Sequence, residues 1–149
     1  QQALQGVEAT DGKGRTPMEV ATAFKWKELQ RVLRDPSLLF WNRAARANKL
    51  YKAGEYEPAC DGYVLAHAEM ERMPTPPDPP TVATFLFNYA RSSQHMGRHC
   101  HAMRLFQEVL DHSEKHEQRM KATDHRAECH AALGDHESAL ADLAELQQH

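Results

Sequence analysis

The sequence predicts an all-α protein, built as an α-solenoid of helix-turn-helix repeats. Three observations predict it. First, three glycines carry one downstream pattern. Gly54 is followed by Tyr56, Ala59, Tyr63 and Ala66. Gly97 is followed by His99, Ala102, Phe106 and Val109, and Gly134 by His136, Ala139, Leu143 and Leu146. The offsets are two, five, nine and twelve each time. Second, an alanine stands seven residues before each glycine: Ala47, Ala90 and Ala127. A register repeated three times marks an internal repeat, in which stacked units bury a shared core. Third, β-branched residues are sparse and no alternating strand pattern occurs.

Each unit has a physical reading. The glycine closes the first helix, where a left-handed backbone costs Gly little. The two alanines are small, so paired helices can approach closely. Tyr63, Phe106 and Leu143 are expected to fill the gap to the next unit. Helices are expected at about 16–23, 25–34, 37–53, 56–72, 81–96, 99–116, 118–133 and 136–148.

The N-terminal pair differs from the rest. Thr16 can cap its first helix and Pro17 suits the first turn. Leu29, Val32 and Leu33 would form the apolar side of its second helix. The segment Asp11-Gly12-Lys13-Gly14-Arg15-Thr16-Pro17-Met18-Glu19-Val20-Ala21 resembles the start of an ankyrin repeat. That family typically reads Asp-x-x-Gly-x-Thr-Pro-Leu-His-x-Ala. Residues 1–35 are therefore read as one ankyrin-like repeat. Glu19 stands where the family has His, which suits a terminal, capping repeat. One such repeat cannot bury a core alone. Either earlier repeats precede it, or it docks on the first helix pair behind it. The chain begins with Gln rather than Met, which favours a C-terminal piece of a longer protein.

Residues 36–149 are read as three units of the repeat. The pattern resembles the tetratricopeptide repeat (TPR), a 34-residue helix-turn-helix, over roughly residues 40–149. The resemblance implies a right-handed superhelix. The glycines are 43 and 37 residues apart, an excess of nine and of three over that period. The first excess is assigned to an inserted loop, Met73-Pro74-Thr75-Pro76-Pro77-Asp78-Pro79-Pro80. The second fits about one extra helical turn around His112–Glu117. The proline run could be read by an SH3 or WW domain as polyproline II. A stiff spacer between units is the favoured reading.

Composition excludes several classes. The net charge of −3 argues against non-specific nucleic-acid binding. No run of about 18 apolar residues exists, so no membrane span is expected, and no signal-peptide pattern appears. Three cysteines, Cys60, Cys100 and Cys129, form no CxxC and point to buried structural thiols in a cytoplasmic or other reducing compartment. Histidines invite a metal. His95, His99, Cys100 and His101 lie around one turn; His112 and His116, and His125 and Cys129, are four apart. No complete four-ligand spacing is present, and His99 and His136 hold the repeat's aromatic position, so packing is the favoured role. No metal or cofactor is expected. No catalytic residue is assigned either. There is no Ser-His-Asp set, Gly12-Lys13-Gly14 is a turn rather than a phosphate loop, and His99 and His101 beside Cys100 lack an orienting partner.

The resemblance sharpens on the surface that first helices would line. Some three-unit TPR domains clamp the acidic C-terminus of the seventy- and ninety-kilodalton heat-shock chaperones. They use two asparagines, two lysines and an arginine, by charge-assisted hydrogen bonding. Aligned on the repeat glycines, Asn48, Asn88 and Lys121 match three of those positions. Ala44 replaces the first lysine and His125 the arginine. Arg43 and Arg126 are adjacent, but one helical step turns a side chain by about 100°. Arg91 adds positive charge, whereas Asp124 and Glu128 would oppose an acidic tail. Histidine changes charge near neutrality and arginine does not, so His125 would link tail binding to pH. The expected function is a non-enzymatic adaptor or co-chaperone whose groove binds a partner peptide. A scaffold subunit of a larger assembly, or a substrate-recruiting module of a multidomain protein, are the alternatives.

Overall fold

The computed structural model describes residues 12 and 14–148, leaving aside the side chains of residues 32 and 33. Asp11, Lys13 and the side chains of Val32 and Leu33 therefore lie outside the described residues. Within them are seven helices and no strand. These are α1 (Pro17–Arg34), α2 (Pro36–Lys52), α3 (Tyr56–Arg72), α4 (Pro79–His95), α5 (His99–His112), α6 (His116–Ala132) and α7 (His136–Gln147). Each helix packs on the next, and α2 also touches α4.

Helix starts follow local chemistry. The Glu19 N–H donates to Thr16 Oγ1 at 3.2 Å, and the Thr16 N–H donates to Glu19 Oε2 at 3.0 Å. This reciprocal capping box satisfies two N-terminal donors at once. Glu19 thus has a role of its own where the ankyrin pattern has His. At α2, Asp35 Oδ1 accepts from the Ser37 N–H at 2.9 Å, with Pro36 in the first turn.

The three repeat glycines close α2, α4 and α6 in the same way. Their φ values are +78° at Gly54, +75° at Gly97 and +82° at Gly134. Each glycine N–H donates to the carbonyl three residues back: Tyr51, Gln94 and Ala131. The next N–H donates to the carbonyl five residues back: Glu55 to Leu50, Arg98 to Ser93, Asp135 to His130. This is the Schellman pattern, made three times.

The six repeat alanines are buried. Helices α2 and α3 approach closely: a Cβ added to Gly62 would stand 3.0 Å from the Ala47 Cβ. Tyr63 and Phe106 are fully buried in the core with Phe40, Leu86 and Val109.

Several expectations are corrected. The helices expected at 16–23 and 25–34 are one continuous helix, α1. No Gly or Pro lies between Met18 and Arg34, so nothing breaks the hydrogen-bond ladder until Pro36. These residues do not form an ankyrin-like pair, and Leu29 is exposed. The proline insertion is shorter than 73–80. Only Met73–Asp78 are non-helical, because Pro79 and Pro80 occupy the first turn of α4, where a missing N–H costs nothing. No extra helical turn spans His112–Glu117. Helix α5 stops at His112, and Arg119 donates to the carbonyls of Leu110 and Ser113, holding the turn. His112 and His116 therefore sit on different helices.

Leu143 does not fill a gap, since no described helix follows α7, and it is partly exposed. Cys60 and Cys129 are buried, but Cys100 is exposed, on the side of α5 opposite the buried Ala102, Phe106 and Val109. His136 is also exposed, whereas Tyr56, at the same offset, stacks on His95 at 3.9 Å.

Candidate functional site

Asn48 on α2 and Asn88 on α4 are 40 residues apart, yet their side chains meet. Asn88 Nδ2 donates to Asn48 Oδ1 at 3.4 Å. The same oxygen accepts from the Tyr63 hydroxyl at 2.6 Å. Tyr63 is fully buried, and burial raises its phenol pKa, with smaller contributions from Tyr51 and Cys60. The hydroxyl keeps its proton and pins Asn48 as an acceptor. Asn48 and Asn88 together line a cavity between α2 and α4.

That cavity has a volume of about 390 Å³. Its walls are apolar: Phe40, Trp41 and Ala44 from α2, Pro80 and Phe85 from α4. Trp41, Ala44, Ala45 and Asn48 fall on one face of α2 by their three-to-four-residue spacing. Lys115, in the connection before α6, stands at the edge. Lys115 also lines a neighbouring cavity of about 510 Å³ with Phe87, Glu117, Gln118 and Lys121. Lys121 is exposed and pairs with Glu117 at 2.9 Å.

Arg91 and His125 occupy a third place. His125 packs between Phe87 and Phe106, with ring centroids 5.9 and 5.5 Å away. Its Nδ1 stands 3.3 Å from Arg91 Nη1 and 3.2 Å from Glu128 Oε2. One nitrogen accepts from Arg91 when it carries no proton and donates to Glu128 when it does. Gln94 bridges the two acid-base partners, accepting from Arg91 at 2.7 Å and donating to Glu128 at 2.6 Å. Burial pushes the Glu128 carboxyl upward, but hydrogen bonds from His125 and Gln94 and the nearby cations outweigh it and hold the pKa low.

The five sequence-predicted site residues thus fall in three adjoining places along α2, α4 and α6. Asn48 joins Asn88, Arg91 joins His125, and Lys121 lies with Lys115. Ala44 leaves the first lysine position without charge. Arg43 and Arg126 are turned away from the site, as a one-residue step requires. Arg43 pairs with Glu69 at 3.2 Å, and Arg126 pairs with Asp142 of α7. Lys115 is the residue that sequence reasoning missed. It lies in the α5–α6 connection, outside the repeat register, and no spacing signal could have found it. Trp41 was findable from its spacing to Asn48.

Asp124, His125 and Glu128 bring three ligating atoms within 4.8 Å of one another. A cation there would have to displace Arg91 and Gln94 from the same atoms. The cluster read around His95–His101 is divided among different partners. His95 stacks on Tyr56, and His101 Nε2 lies 2.9 Å from the Tyr89 hydroxyl. Cys129 is buried, and burial together with the Glu128 charge pushes its thiol to about 11. No helix among the described residues is long and apolar enough to cross a membrane.

In comparisons with known proteins, no protein-family model and no curated sequence matches the chain.

Proposed function

We propose that residues 36–149 form three tetratricopeptide-type units, and that the surface shared by α2, α4 and α6 binds a peptide of a partner protein. The chain acts as a non-enzymatic adaptor in a reducing intracellular compartment. The observation that carries this reading is the Asn48–Asn88 contact. Two amides from different repeats meet in the wall of an apolar cavity with a lysine at its edge. Amide and ammonium donors beside apolar walls suit an extended peptide with an acidic, carboxylate-bearing end. The tail of a heat-shock chaperone is a peptide of that chemistry. The threefold glycine turn supports the repeat assignment.

Titration calorimetry with acidic-tail peptides, with free or amidated C-termini, tests it. The free carboxylate should bind and amidation should weaken binding. Lys121→Ala should cost roughly 1.5–3 kcal/mol, the scale for hydrogen bonds to charged groups. Added salt should lower the affinity. Affinity indifferent to amidation, to salt and to Lys121 would favour the second reading, a scaffold subunit in a larger assembly. The exposed aromatic side chains of α1 support that second reading.

A further inference from the structure

The cavity between α2 and α4 has an aromatic floor. Phe40 meets Phe85 edge-on, with ring centroids 5.2 Å apart, and Trp41 meets Phe40 at 5.1 Å. Phe40 and Phe85 are buried, yet Trp41, in the cavity wall, remains 50% exposed. Ala44 lies one helical turn from Trp41 and one from Asn48, and its small side chain leaves room between them.

Polar groups stand at the two ends of that floor. Asn48 and Asn88 form one end. Asn48 Oδ1 already accepts from Tyr63 and Asn88, so Asn48 meets a ligand as an N–H donor. Lys115 marks the other end, since it also lines a cavity with Pro79 and Pro80 in the first turn of α4. From Pro80 to Asn88 the helix rises about 12 Å. Among the described residues lining the α2–α4 cavity, Lys115 carries the only charge, and no Asp or Glu is present. Two carboxylates are close to Lys115 in sequence. Glu117 pairs with Lys121 at 2.9 Å, and Glu114 lines the Pro79 cavity rather than this one.

An apolar floor between an ammonium and an amide pair fits an apolar side chain flanked by an acidic group and a backbone carbonyl. An extended chain advances about 3.3 Å per residue, so the rise along α4 matches roughly three to four residues. We propose, on the basis of peptide binding at this surface, that the cavity selects a large apolar side chain, leucine-sized or aromatic, one or two residues before the acidic end of the peptide. Lys115 meets the acidic group, and the amide pair meets a backbone carbonyl. The side chain rests on Trp41 and Phe85, beside Ala44. An acidic tail without that side chain binds more weakly.

Calorimetry with peptides of identical charge tests it. The acidic end is held constant, and Ala, Leu or Trp occupies either of the two positions before it. Leu or Trp at one of these positions should bind about tenfold tighter than Ala, from the apolar area it removes from water. Ala44→Leu fills the cavity from its own wall, and Trp41→Ala removes a half-exposed part of the floor. Each should abolish most of that preference and keep the loss of affinity on amidating the peptide. Where Ala44→Leu loses its helical circular dichroism, Trp41→Ala decides. Equal affinity for Ala, Leu and Trp, with amidation still weakening binding, would overturn the selection and leave peptide binding standing. A preference that survives both substitutions would overturn it too, because the side chain then rests elsewhere. Binding of none of the peptides would end both readings.

Discussion

Gly62→Ala sets two effects of opposite sign against each other. Gly62 lies inside α3, and glycine in a helix interior costs about 1 kcal/mol relative to alanine. On propensity alone the substitution stabilises. The structure reverses the sign. The new Cβ would stand 3.0 Å from the Ala47 Cβ, 3.6 Å from its Cα and 3.9 Å from its N. Carbon atoms sit best at about 3.5–4.0 Å. The nearest obstacles belong to the α2 backbone and to a methyl fixed on it, so no rotamer change relieves the overlap. The helices must shift, at a cost of about 1–3 kcal/mol. Gly62→Ala should therefore lower stability by about 1 kcal/mol net, read as a lower urea midpoint at unchanged slope. In an Ala47→Gly background the overlap disappears, and the same substitution should stabilise by about 1 kcal/mol. A reversal of sign between backgrounds is the coupling expected of residues in contact. Stabilisation by Gly62→Ala in the wild-type background would refute the close approach of α2 and α3.

Tyr63→Phe keeps the buried ring and removes the donor to Asn48, leaving its oxygen only the longer Asn88 contact; urea unfolding should show a loss of about 1 kcal/mol. Burial, then the positive charges of His67, Arg98 and Arg104, holds His101 below its ordinary 6.5. The folded state then binds fewer protons, so this share of stability is full above 6.5 and is lost as pH falls through the lower folded value. Melting temperatures measured from about pH 8 to about pH 5 should fall less steeply for His101→Gln than for wild type; parallel curves would contradict this. A thiol reagent should label Cys100 rapidly in the native protein, and Cys60 and Cys129 only after denaturation, since burial both shields these two and raises their pKa values.

The parts of the fold legible in the sequence are those with a local cause. A glycine after a helical run needs a left-handed backbone, and Gly54, Gly97 and Gly134 all adopt it. Alanines at fixed offsets need a close neighbour, and all six are buried. The failures share a different cause, in that the neighbour was not set by the repeat. Leu143 and His136 repeat the pattern of their counterparts, but among the described residues no further hairpin packs against them. The split of α1 was inferred from a motif whose residues supply no helix breaker. At the site, Asn48 and Asn88 were found by register and do meet. Lys115 was invisible because a connecting segment, not a helical register, places it at the cavity edge. The partnership of Arg91 with His125 depends on how two helices face each other, which spacing along one helix does not encode.

The Asn48–Asn88 contact also bears on how the chain reaches its fold. The principal packing partners are sequence neighbours, with α2 against α4 as the exception. Local contacts of this kind go with folding in microseconds to milliseconds. Each helical hairpin can close over a turn of a few residues. Docking α4 onto α2 instead encloses the whole of α3 and the Met73–Asp78 segment, and that larger loop carries a larger closure entropy. The amide pair and the Tyr63 hydroxyl lie where that long-range step is completed. The surface assigned to a partner peptide is thus assembled by the helix contact that encloses the longest loop, so Asn48, Asn88 and Tyr63 sit where the closure entropy is largest.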